Sequence, residues 1–201
     1  MKLIGLCGGS GSGKGRACSF FAELGIPSID TDAVYHELTS RPSPCIDALA
    51  EAFGSSILKE DGSLNRIKLA NLVFADGNDN KRKLLGKITH KFILERTDEI
   101  ASSFFNNGAC AVIVDAPLLF ESGYNKKCDI VICVIADKDK RISRIVSRDG
   151  ITKERAIARI SKQADDDFLV RNSDFTIENN GDESELRARV FEVYKKIIEM
   201  E

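Results

Sequence analysis

Met1-Lys2-Leu3-Ile4-Gly5-Leu6-Cys7-Gly8-Gly9-Ser10-Gly11-Ser12-Gly13-Lys14 decides the fold of this 201-residue chain. Its first seven residues are a short, mostly apolar run that reads as a buried strand. Four glycines between Gly8 and Gly13 exclude an ordinary helix start, because each costs backbone entropy and adds no packing. Beyond them Ala17, Phe20, Phe21 and Leu24 recur at three- and four-residue spacing, which predicts a helix with one buried face and Gly25 at its end. Strand, glycine-rich loop ending in Gly-Lys, then helix is the context in which G-x-x-x-x-G-K signals a phosphate cradle rather than a surface turn.

In such a loop small residues let successive N–H groups converge on phosphate oxygens, and the amides of the first helical turn add positive potential. The candidate contacts are Gly9, Ser10, Gly11, Ser12, Gly13, Lys14, Gly15 and Arg16, with Lys14 reaching the outer phosphates as a point charge. Position 15 is irregular. A Ser or Thr usually follows the lysine, and its hydroxyl ligates Mg²⁺. With Gly15 there, water would have to replace the hydroxyl, which Mg²⁺ accepts readily. Ser12 is the poorer substitute by its place in the loop. Gly15 also costs about 1 kcal/mol in the first helical turn relative to Ala, and Arg16 stands at the helix end that disfavours cations unless a phosphate is present.

The chain is long enough for one core and a smaller excursion. A net charge of -2 gives no support for a nucleic-acid or anionic-membrane partner. Of the six cysteines, only Cys128 and Cys133 are closely spaced, with one residue too many for a metal pair and no histidine nearby. Cys7, Cys110 and Cys133 lie in apolar runs and are expected to be buried thiols. A reduced, cytoplasmic setting is expected, with no leader segment and no apolar run of membrane-spanning length.

Pro27-Ser28-Ile29-Asp30-Thr31-Asp32 reads as a second strand ending in acids at the sheet edge that carries the phosphate loop. Asp30 either contributes there or caps the next turn; Asp32 is the candidate general base or water-mediated metal ligand. From Ala33 to about Phe105 apolar residues fall at helical spacing, broken at Pro42, Gly54, Asp61-Gly62-Ser63 and Asp76-Gly77-Asn78-Asp79-Asn80. A helical insertion of short helices over 33–105 is expected, placed to recognise a second substrate. His90, between Lys87 and Lys91, is either a packed or solvated histidine or a contact for an anionic substrate, and Arg66 is equally open.

The core resumes at Ala111-Val112-Ile113-Val114-Asp115, apolar and β-branched like a central parallel strand. Asp115 either influences Mg²⁺ through water or caps the following turn. Ile130 to Ile135 is another such strand, Asp174 to Asn179 the last, and the alternation with helices predicts a three-layer α/β sandwich. Arg141, Arg144 and Arg148 share one helix side, and a second helix after Thr152 is expected to turn Ile157 and Ile160 inward. The pair reads as a lid over 138–170 whose guanidinium groups clamp phosphate or form a solvated charged face; the phosphate loop favours the clamp. Asn179 could donate to a base or cap its turn.

Together, Gly8 to Lys14, Ile29-Asp30-Thr31-Asp32, Asp61-Gly62-Ser63-Leu64-Asn65-Arg66, Pro117-Leu118-Leu119-Phe120-Glu121, Arg144 with Arg148, Gln163 and Asn179-Asn180-Gly181 resemble the dephospho-coenzyme A kinase family. The loop alone would not single out this family; the Pro-Leu-Leu-Phe-Glu run with the Ile-Asp-x-Asp pair does. The resemblance implies a P-loop kinase core over 1–32 and 106–201, a helical coenzyme A-binding domain over 33–105 and a lid. It implies ATP as co-substrate with Mg²⁺, and phosphorylation of the ribose 3'-hydroxyl of dephospho-coenzyme A. By the same resemblance Lys14, Asp32 and Arg144 are catalytic, Arg148 and Asn179 lie near ATP, and Arg66, His90 and Leu118 serve the acceptor. Gly15, Arg141 in place of a common Gln, Lys91 in place of Pro and Leu169 in place of a basic residue depart from the family's pattern. Gly15 keeps a nucleotide-binding regulatory protein of weakened catalysis open, and a kinase for another nucleoside or nucleotide is the further alternative. A monomer is expected, since no exposed apolar seam stands out.

Overall fold

The structure, a computed structural model, describes residues 1–75 and 78–200. Asp76 and Gly77, part of one expected helix separator, lie outside the described residues, and Asp79 and Asn80 of that separator already belong to a helix. Five strands form one sheet in the order β2-β3-β1-β4-β5: β1 Lys2–Cys7, β2 Ser28–Asp30, β3 Ala111–Asp115, β4 Ile130–Ile135 and β5 Phe175–Glu178. The β1–β3, β1–β4 and β4–β5 ladders are parallel, and the register sets Leu6 opposite both Asp115 and Ile132.

The chain divides into two compact units, Met1–Ile29 with Ala101–Glu201, and Asp30–Ile100. In the first, helices α1 (Lys14–Glu23) and α9 (Glu183–Glu199) cover one sheet face. Ile4, Leu6, Phe20, Phe21, Ile132 and Val190 fill that layer. Successive strand residues face opposite ways, so Gly5 points to the other face, where a Cβ would lie 2.8 Å from a Leu119 methyl. The glycine inside this strand is the room that Leu119 needs. Helix α6 (Lys138–Asp149) packs on α7 (Lys153–Ile160) through Ile142, Ile145 and Ala156, and α8 (Asp166–Arg171) follows. The buried α7 residue is thus Ala156, while Ile157 is exposed, contrary to the expected inward face. Cys110 is also exposed rather than buried, because it precedes β3 instead of lying in it.

The second unit is helical: α2 (Thr31–Leu38), α3 (Pro44–Phe53), α4 (Arg66–Phe74) and most of α5 (Asp79–Asn106). Cys45, Ile46, Leu49, Ile57, Leu69 and Val73 make its own core. Local chemistry places the helix starts. Ser43 accepts from the Ile46 amide with Pro44 at the first helical position, and Asn65 accepts from the Lys68 amide. This unit begins three residues before the expected boundary at Ala33 and ends five before Phe105. The division at Ile100 falls within the 28-residue α5, so no turn residue marks it.

Candidate active site

The loop from Gly8 to Gly13 leaves the carboxyl end of β1 and enters α1. Side chains cap α2, α3, α4, α7 and α9, whereas the start of α1 has Gly13 in the left-handed region, no side-chain cap and no acid in its first turn. Those amides and the positive end of the helix dipole therefore remain available to an anion. Glycine is obligatory at 13 twice over, by its φ of 99° and because a Cβ would collide with the Asn179 amide. Asn179 itself is buried and donates from Nδ2 to the Ser12 carbonyl at 2.7 Å.

Lys14 Nζ, on the first residue of α1, lies 2.6 Å from Oδ1 of Asp115, the last residue of β3, with both side chains about 85% buried. Beside them burial pushes the Cys18 thiol up to about 12, with the Asp115 carboxylate reinforcing the shift, and Cys7 is likewise raised to about 12, chiefly by burial. Both thiols are therefore protonated at neutral pH and unsuited to nucleophilic work. Arg144 donates to the Gly11 carbonyl at 3.2 Å and the Asn179 carbonyl at 3.0 Å, tying α6 and the end of β5 to the loop. The buried Ser12 hydroxyl has no protein partner, an unsatisfied polar atom inside the loop.

The structure thus brings Lys14, Asp115, Arg144 and Asn179 to the loop. Arg16 turns down α1, 4.6 Å above the Phe20 ring, and pairs with Glu183. Arg148 pairs with Asp149, whose carboxyl is held down at about 2 by Arg148 first and Arg159 second. Leu118 is half exposed and lines a cavity of about 90 Å³ with Gly8, Gly9, Pro117, Glu121 and Gln163. Asp32, Arg66 and His90 belong to the 30–100 unit. There Asp30 caps α2 by accepting from the amides of Asp32 and Ala33, leaving the exposed Asp32 carboxylate out of the cap. Arg66 donates to Thr39 Oγ1 at 2.7 Å, and His90 is half buried in α5.

Gln163 was not among the expected site residues, although it stands in the family-like motif set. It accepts from the Ser10 amide at 2.9 Å and donates to Ser10 Oγ at 3.0 Å. Apart from that resemblance its sequence signal is a polar side chain in the turn between two short helices.

For Mg²⁺ the donor set is sparse. Among the described residues no group of three or more His, Cys, Asp or Glu side chains converges. Mg²⁺ at a nucleotide site needs only one or two carboxylates besides phosphates and water, and the Asp115 carboxylate beside the cradle fits that requirement. A Cβ on Gly15 meets no atom within 4 Å, so space for a side chain or water exists there. Among the described residues no helix is long and apolar enough to cross a membrane.

Comparison with known proteins agrees with this geometry. A family model described as dephospho-CoA kinase matches residues 2–185. A dephospho-CoA kinase of Corynebacterium glutamicum is 34% identical over 198 residues, covering 98% of each chain. One from Bacillus cereus is 37% identical over 179 residues, covering 89% of this chain and 88% of the relative. The solved dephospho-CoA kinase from Campylobacter jejuni superposes with a TM-score of 0.69 at 25% identity, covering 97% of this chain and 96% of its own.

Proposed function

The chain belongs to the dephospho-CoA kinase family, and from that premise we propose that it transfers the γ-phosphoryl group of ATP to the ribose 3'-hydroxyl of dephospho-coenzyme A. The observation that carries the reading is the cradle, an uncapped helix start beside the Lys14–Asp115 pair. The loop amides and Lys14 hold the outer phosphates, with Lys14 exchanging Asp115 for phosphate oxygen as the anion enters. Arg144, anchored to the loop through the Gly11 carbonyl, is assigned the stabilisation of charge on the transferring group. Asp32 orients the acceptor hydroxyl and takes its proton. The acceptor oxygen then bonds to the γ-phosphorus, the bond from that phosphorus to the bridging oxygen breaks, and ADP leaves with the electron pair. Phosphoryl transfer is mainly positioning and charge stabilisation, so this small set suffices.

Asp115, and Asp32 through water, would hold Mg²⁺, which supplies neutralisation of phosphate charge when bound. The 30–100 unit is assigned the coenzyme A moiety, with Arg66 and His90 as its cationic or polar contacts and Leu118 near the acceptor. Asn179 and the turn after it are assigned to the adenine side, and Arg148 to the lid. We assign the protein to the cytoplasm as a monomer, consistent with its six free cysteines.

The direct test incubates the protein with ATP, Mg²⁺ and dephospho-coenzyme A and measures ADP together with the product mass. Equimolar ADP and coenzyme A support the proposal. Binding of both substrates without transfer would replace it by the regulatory reading, and better turnover of nucleosides or nucleoside monophosphates by another kinase specificity. Gly15→Ser is expected to lower the Mg²⁺ concentration for half-maximal rate by about tenfold, the effect of one added charge-assisted ligand contact of about 1.4 kcal/mol. The site has room for the side chain. An unchanged Mg²⁺ titration would show that the missing hydroxyl is not limiting.

A further inference from the structure

We infer that Arg141 is a positioning residue for the phosphate loop, acting through Ser10 and Gln163 and held in place by Asp166. The inference rests on the kinase reading for its ligand, ATP, but on the geometry of the loop for its content.

Arg141 is 4% exposed although it is a permanently charged side chain on α6. One edge of its guanidinium group faces the loop. Nε donates to the Ser10 carbonyl at 3.0 Å and Nη2 to Gln163 Oε1 at 3.1 Å. The remaining nitrogen, Nη1, donates to Asp166 Oδ1 at 2.9 Å and Oδ2 at 3.1 Å. Gln163 completes the bracket, since the same Oε1 accepts from the Ser10 amide and Nε2 donates to Ser10 Oγ. The amide, carbonyl and hydroxyl of Ser10 are thus each engaged by this pair of side chains. A Cβ on Gly9 would collide with the guanidinium group, and one on Gly11 would lie 2.6 Å from the Arg141 carbonyl. The loop glycines are shaped around this arginine as much as around phosphate.

Each of the three guanidinium nitrogens of Arg141 already has a protein partner. Its fork is divided between the loop and a carboxylate that neutralises it, an arrangement that fixes a shape rather than delivers a charge. A loop held in its binding shape loses less freedom when an anion arrives, and that saving appears as affinity. ATP affinity should therefore depend on Asp166, a residue of α8 whose carboxylate meets the loop through Arg141. A lysine at 141 would not substitute, because a single ammonium cannot span Ser10, Gln163 and Asp166 with fixed planar geometry.

The test is calorimetric titration of the full chain with ATP and, separately, with dephospho-coenzyme A, well below the unfolding temperature. The variants are Arg141→Gln, Arg141→Lys, Asp166→Asn and the double Arg141→Gln/Asp166→Asn. Both Arg141 variants and Asp166→Asn should weaken ATP by about tenfold, as expected for loss of one charge-assisted contact, and leave dephospho-coenzyme A within about twofold. The double variant should be no weaker than Arg141→Gln, because both act through one contact. Unchanged ATP affinity in a folded Arg141→Gln protein, full rescue by lysine, or additive losses would overturn the inference. If Arg141→Gln fails to fold, Asp166→Asn decides, as Asp166 is one-third exposed and asparagine keeps an acceptor. Wild-type turnover, measured alongside, separates this result from the kinase reading: ATP binding that responds as described with no coenzyme A formed would sink the reading and leave the positioning role standing.

Discussion

Lys14→Ala is expected to lower turnover of dephospho-coenzyme A by about 10²–10³-fold, the usual effect of removing one preorganised charge partner from a developing transition state. The lysine side chain is mostly buried and its ammonium group is held 2.6 Å from Asp115 before any phosphate arrives. Truncation also removes a partner from a carboxylate of low exposure. Asp115 keeps the Cys18 thiol as a neighbour, and the stability loss should stay near the cost of one charged hydrogen bond, about 1.5–3 kcal/mol. Steady-state kinetics and a thermal melt on the same preparation separate the two effects. Lys14→Arg should recover stability better than activity, since a planar fork does not reproduce the reach of an ammonium group. Turnover within a few-fold of wild type in folded Lys14→Ala would remove the lysine from the mechanism.

Asp32→Asn carries the second large expectation, a fall in kcat of about 10²–10⁴-fold with little change in KM, as for loss of a general base. The fold should hardly register it. Asp30, not Asp32, receives the α2 amides, so asparagine at 32 leaves the cap intact, and the weakened interaction of a carboxylate with the first turn costs about 0.3–1 kcal/mol. The neighbouring control runs the other way. Asp30→Ala removes the cap and should cost about 1 kcal/mol of stability while turnover stays within a few-fold. If the two variants exchange these signatures, Asp30 is the base and Asp32 the structural acid.

The two aspartates show how far sequence reasoning reaches. Two acids separated by one residue at the end of a strand announce a functional group, for which Asp32 is the better placed, and leave Asp30 open between the site and a cap. The structure identifies the cap: the Asp32 amide donates to the Asp30 carboxylate at 2.8 Å. The arginines of α6 pose the same problem in stronger form. Arg141, Arg144 and Arg148 occupy one helical side by spacing, yet Arg141 is buried on Ser10, Arg144 binds Gly11 and Asn179, and Arg148 pairs with the adjacent Asp149. Ile157 and Ala156 make the point for packing, because periodicity selects a face but not the neighbour that covers it.

By itself the sequence determined the strands, the glycine loop, the helix starts and the kinase family, because these depend on local sterics, side-chain period and capping within a few residues. Glycine tolerates the left-handed turn at 13, apolar β-branched runs make the central strands, and Ser43, Asn65 and Thr152 cap the helices that follow them. Only the tertiary structure decided what meets the loop: Asp115 on Lys14, Asn179 on Ser12, and Arg141 with Gln163 around Ser10. Those partners lie more than 100 residues away along the chain. Their contacts follow from which strands neighbour β1 and how α6 to α8 pack beside it, and no local rule of propensity or spacing carries that information.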